Sequence, residues 1–72
     1  MISAKTQKGT RVWVSLVDDV EPNDGGFYCE IYRSQYGDRY DDFCIHPEDC
    51  DCQNDKEVTK YVRKYVSTIT EY

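Results

Sequence analysis

Val58, Tyr61, Val62, Tyr65, Val66 and Ile69 recur at spacings of three and four residues, the period of one apolar stripe along an amphipathic α-helix. A single stripe cannot bury itself, so the rest of the chain must supply a second layer, and nothing upstream repeats that period. Upstream the period is two. In 11–17, Val12, Val14 and Leu16 alternate with Trp13, Ser15 and Val17; in 27–33, Phe27, Cys29 and Ile31 alternate with Tyr28, Glu30 and Tyr32. In 40–46, Phe43 and Ile45 alternate with Asp42, Cys44 and His46. The breaks between these runs, Pro22-Asn-Asp-Gly-Gly26 and Ser34-Gln-Tyr-Gly-Asp38, are short and rich in turn formers, which favours an antiparallel meander. The sequence thus predicts an α+β domain: three antiparallel strands (β-β-β), then one C-terminal helix over 58–69 packed on one face, with Val62 and Tyr65 central. Asn54 is placed to cap the helix, and Glu57 three residues on completes an Asn variant of the capping box.

The 72 residues are read as a single domain, 1–72, with 1–10 as a flexible N-terminal segment. A domain of this size buries only about 60% of the surface its unfolded chain exposes, so its core is small. The helix covers one sheet face, leaving the other, with Trp13, Tyr28 and Tyr32 beside Glu30 and Asp42, to solvent or to a partner. Tryptophan and tyrosine on a wet face suit an interface, because each buries a large area at low entropic cost; cross-strand aromatic pairs that only stabilise the sheet are the alternative.

Charge is strongly polarised along the chain. Thirteen of the fourteen acidic residues lie between Val17 and Glu57 beside only three basic ones, Arg33, Arg39 and Lys56. The flanks are basic, with Lys5, Lys8 and Arg11 before and Lys60, Arg63 and Lys64 after, and the net charge is −5. Such a field attracts basic surfaces and repels nucleic-acid backbone. No phosphate-cradling glycine loop and no nucleophile in a recognisable setting accompanies it, and the expectation is a chain that is not an enzyme and takes no cofactor. Asp19, Glu21, Asn23 and Glu30 match parts of a calcium-loop template, but Asp24 stands where that template needs glycine. Cys44-x-His46-x3-Cys50-x-Cys52 offers four zinc-type ligands, although one short run must supply all of them and two are separated by a single residue. No metal is therefore expected, and a zinc-stabilised module on Cys44, His46, Cys50 and Cys52 is the alternative.

Small size, the β-β-β-α order and the carboxylates Asp18, Asp19, Glu21, Asp24, Asp38, Asp41, Asp42, Glu48, Asp49 and Asp51 in loops and strand edges together resemble the small acidic inhibitors of phages and mobile elements, in particular anti-CRISPR proteins. The resemblance is one of type, spans the whole chain and carries no family motif. It implies a nucleic-acid mimic whose carboxylates stand in for phosphates against the basic groove of a larger protein, such as a CRISPR effector. The expected partner-binding residues are Asp18, Asp19, Glu21, Asp24, Asp41, Asp42, Glu30, Trp13, Tyr28 and Tyr32. A second class of function is an accessory module that forms a homodimer through its sheet. With no apolar h-region in 1–10 and no long apolar run, the sequence predicts a cytoplasmic protein that contacts neither membrane nor nucleic acid directly.

Overall fold

The computed structural model describes residues 1–18, 25–34, 37 and 39–69. Its elements run β1 (Ile2–Lys5), β2 (Arg11–Asp18), β3 (Phe27–Tyr32), β4 (Arg39–Ile45) and α1 (Asp55–Ser67). The strands pair antiparallel in the order β1-β2-β3-β4. This is the expected α+β meander with a C-terminal helix, but the expected three-stranded sheet is corrected to four strands.

The additional strand is β1, from within the N-terminal segment expected to be loose. It has the alternation of its neighbours in miniature: Ala4 and Thr6 are buried, while Lys5 is exposed. Its register on β2 pairs Ile2 with Val14, Ser3 with Trp13, Ala4 with Val12 and Lys5 with Arg11. The connection is a tight hairpin. Thr6 N–H donates to the Thr10 carbonyl at 2.9 Å, Gly9 N–H to the Thr6 carbonyl at 2.9 Å, and Thr10 N–H to Thr6 Oγ1 at 3.2 Å. Gly9 sits at φ +86, a backbone conformation that side-chain-bearing residues adopt only at a cost, so the hairpin depends on glycine there. Lys5, Lys8 and the polar residues between them hide a strand whose apolar content is only Ile2 and Ala4.

The core lies between one sheet face and α1. Val12, Val14, Cys29, Ile31, Ile45, Val62 and Val66 are wholly buried, with Ala4, Phe43 and Val58 nearly so. Inward-pointing Leu16 and Phe27 close its margin as partly buried residues. On the helix the central stripe is Val58, Val62 and Val66, at successive turns, which corrects the placement of Tyr65 at the centre. Tyr65 lies at the rim, 37% exposed, and stacks on Phe43 with ring centroids 4.0 Å apart. Among the strands, α1 approaches β1 most closely, which the small side chain of Ala4 permits.

Asn54 caps α1 as expected. Its Oδ1 accepts from the N–H groups of Lys56 at 3.1 Å and Glu57 at 3.3 Å. The reciprocal half of a capping box is not formed, because Asn54 N–H already donates to the Asp51 carbonyl at 3.0 Å. That bond closes the turn through which the chain enters the helix.

Candidate functional site

The alternation that builds the core also fixes the opposite face of the sheet. On β2 this face carries Arg11, Trp13, Ser15 and Val17, and on β3 Tyr28, Glu30 and Tyr32. Register places Tyr32 directly opposite Trp13, Glu30 opposite Ser15 and Tyr28 opposite Val17. On β4, Arg39 faces Tyr32, Asp42 faces Glu30 and Cys44 faces Tyr28. No element among the described residues covers this face. Trp13, Tyr28 and Tyr32 are all half-buried, and Val17 is 47% exposed.

A polar network stands beside the aromatic pair. Arg39 Nη1 donates to Tyr28 Oη at 2.7 Å and to Glu30 Oε2 at 3.1 Å, and Tyr28 Oη donates to Asp42 Oδ2 at 2.8 Å. Arg39 Nη1 is also 3.7 Å from Asp42 Oδ2. The hydrogen bond to Asp42 holds the Tyr28 hydroxyl above its ordinary pKa, so it stays protonated and keeps donating. Such exposed pairs contribute little to stability, but several shared among four side chains fix where donors and acceptors point.

Trp13, Tyr28, Tyr32, Glu30 and Asp42, all expected at one site, thus share the open face. The network also holds a residue the sequence reading left out, Arg39, which neutralises part of the charge of Glu30 and Asp42. The missed signal is a register shift: between Ile31 and Tyr32 the β4 partners move from Asp41 to Arg39. That shift puts an arginine where simple alternation would not. Asp18 and Asp41 belong elsewhere. Asp18 pairs with Phe27 and Asp41 with Ile31, both on the core-facing side, yet each is exposed. Adjacent Asp41 and Asp42 therefore point to opposite sides of the sheet. Asp19, Glu21, Asp24 and Asp38 lie outside the described residues, and so does Asn23 of the calcium template, of whose four matched residues only Glu30 is described. Further exposed carboxylates, Glu48, Asp49, Asp51, Asp55 and Glu57, line the connection into α1 and its first turn.

The three cysteines among the four zinc-type ligands are divided by the sheet. Cys44 is exposed on the open face, whereas Cys50 and Cys52 pack half-buried against the core on the other side. Burial raises the pKa of both of these thiols, which disfavours the thiolate a metal would need. Among the described residues no three His, Cys, Asp or Glu side chains converge on a point. Cys29 is fully buried, and its thiol is pushed up to about 12 by desolvation, as befits a small core side chain. No described helix is long and apolar enough to cross a membrane.

Both sheet edges carry features that oppose addition of another strand. On β1, Arg63 Nε donates to the Ser3 carbonyl at 3.1 Å, occupying an acceptor at the edge; β4 is irregular and bears Arg39, Asp41 and Asp42. An antiparallel meander with a single helix on one face and an aromatic, hydrogen-bonded opposite face defines a small α+β scaffold. No family model matches the chain, and no curated protein and no solved structure matches it either.

Proposed function

We propose that the chain is a protein-binding module that sets its open sheet face, with the surrounding carboxylates, against a positively charged surface of a larger protein and keeps nucleic acid off that surface. One observation carries the reading: Trp13 and Tyr32 stand directly opposite each other on a face that nothing described covers, next to the ordered Tyr28, Glu30, Arg39 and Asp42 network. Aromatic anchors beside oriented polar groups are the composition of interface hot spots. The exposed carboxylates Asp18, Asp41, Glu48, Asp49 and Asp51 supply the long-range attraction to a basic partner. The nucleic-acid channel of a CRISPR effector is a surface of this kind, and the anti-CRISPR resemblance makes it the first partner to try. In this reading the chain performs no catalysis and takes no cofactor.

The test compares two variants for binding to purified CRISPR effectors across salt concentration. Reversing Asp18, Asp41, Glu48 and Asp51 to Lys should slow association steeply, since the steering field is inverted while the core is untouched. Tyr32→Ala should leave association nearly unchanged and speed dissociation, with a loss of about 1 to 2 kcal/mol typical of an interface aromatic. Binding that ignores both charge reversal and salt rules out mimicry of nucleic acid.

A further inference from the structure

The two basic ends of the sequence meet in the fold. Lys5 on β1 and Arg11 on β2 are directly paired in register, and Arg63 of α1 reaches the same edge through its bond to the Ser3 carbonyl. Together with Ser3 and Ala4 these three cations line one open depression that straddles the β1 edge. Like charges directly opposite on neighbouring strands repel, and here a third positive charge is added rather than a carboxylate. Fourteen acidic residues are available in the chain, yet neither Lys5, Arg11 nor Arg63 forms an ion pair with any described one. The bond to the Ser3 carbonyl uses Nε of Arg63 and does not use its two terminal amino groups.

We propose that this corner is a phosphate-binding site formed by Lys5, Arg11 and Arg63. Two guanidinium forks and one ammonium match a compact, multiply charged oxyanion with several acceptor oxygens better than they match a single carboxylate. The arrangement is open and shallow, which suits either a free phosphate ion or one phosphate of a nucleic-acid strand. The site goes beyond the protein-binding reading and does not depend on it: the open-face aromatics could fail to bind any protein while the corner still takes its anion. Its position is also informative, because an anion must approach a chain of net charge −5, and only a local concentration of cations makes that approach favourable.

Backbone amide and arginine side-chain NMR shifts of the full chain, followed during titration with inorganic phosphate and separately with a short single-stranded oligodeoxynucleotide, test the proposal at constant ionic strength kept with sodium chloride. Saturable shifts centred on Lys5, Arg11 and Arg63 are expected with phosphate. Tighter saturation with the oligonucleotide would assign the source to a nucleic-acid strand; saturation with phosphate alone would assign it to the free ion. Arg11→Gln should weaken binding about three- to tenfold, as loss of a charge-assisted contact does. Lys64→Gln removes the same charge from a part of α1 outside the depression and should change nothing. Arg63→Gln should also weaken binding; since it removes the bond to Ser3, its spectrum is first checked for the native fold, and the Arg11 variant decides if that fold is lost. Shifts no larger than those given by chloride, or equal weakening by Lys64→Gln and Arg11→Gln, overturn the site.

Discussion

The two faces of the sheet are written by the same residues in alternation, yet they differ in nearly every physical respect. Ile31 is fully buried among Val, Cys and Phe side chains, while its neighbours Glu30 and Tyr32 are half-exposed in contact with an arginine and across from a tryptophan. The covered face is apolar at its centre, where β-branched Val12, Val14, Ile31 and Ile45 pack under the helix and present nothing to a partner. The open face is aromatic and polar, and its interactions are too exposed to hold the fold together. Stability and the proposed recognition are thereby separated by one residue of register, so a substitution on one face should disturb one property and spare the other.

The largest expected effect is on the covered face. Ile31→Ala removes three buried carbons from a site with no solvent contact and should cost about 2 to 5 kcal/mol, read as a lower urea midpoint with an unchanged slope. In a 72-residue domain that is a large part of the total. A loss below about 1 kcal/mol would mean the helix does not seal this face.

A pH dependence follows from Cys29, on the same face. Its folded pKa, about 12, lies above the ordinary thiol value of 9.0, so the folded state holds the proton more tightly than the unfolded one. The stability this contributes is complete below about pH 9 and is lost as the pH rises from there toward about 12, because the unfolded chain gains by ionising and the folded chain cannot. Urea midpoints should therefore fall between about pH 8 and about pH 10.5, and Cys29→Val should flatten part of that fall. An identical alkaline slope in both proteins would show that this thiol is not sequestered.

The smallest effect belongs to the open face. Arg39→Ala breaks the bonds to Tyr28 and Glu30 but leaves no group buried without a partner, so its urea midpoint should stay close to that of the unaltered chain. A loss comparable to that of Ile31→Ala would contradict the division between the faces.

Which parts of this arrangement were legible in the sequence follows from how strongly each is patterned. Val58, Val62 and Val66 on α1 and the alternating runs of β2 and β3 were readable because burial on one side imposes a period that few other structures share. Strand β1 was not, since an edge strand under a helix needs only Ile2 and Ala4 inward, and two apolar residues among lysines make no pattern. Its hairpin did leave one trace in Gly9. On the open face Trp13, Tyr28, Tyr32, Glu30 and Asp42 followed from alternation alone, whereas Arg39 entered by a shift of register that composition does not encode. Asp41 and Asp42 are opposed in space by the ordinary alternation of β4, since the shift begins only beyond Asp41. The meeting of Lys5, Arg11 and Arg63 depends on β1 and so was hidden with it.

The central claim is that the aromatic side of the sheet is the surface a partner covers, and Trp13, the only tryptophan in the chain, reports on it directly. Acrylamide quenching of its fluorescence should show a partly accessible ring in the chain alone, unchanged over about a hundredfold range of protein concentration. Adding a bound basic partner that lacks tryptophan at its interface should shield the ring and shift its emission to shorter wavelength, as desolvation of an interface anchor requires. Equal quenching in the free and bound chain would place the contact elsewhere, and shielding that develops with concentration in the chain alone would assign the face to a second copy of the same molecule.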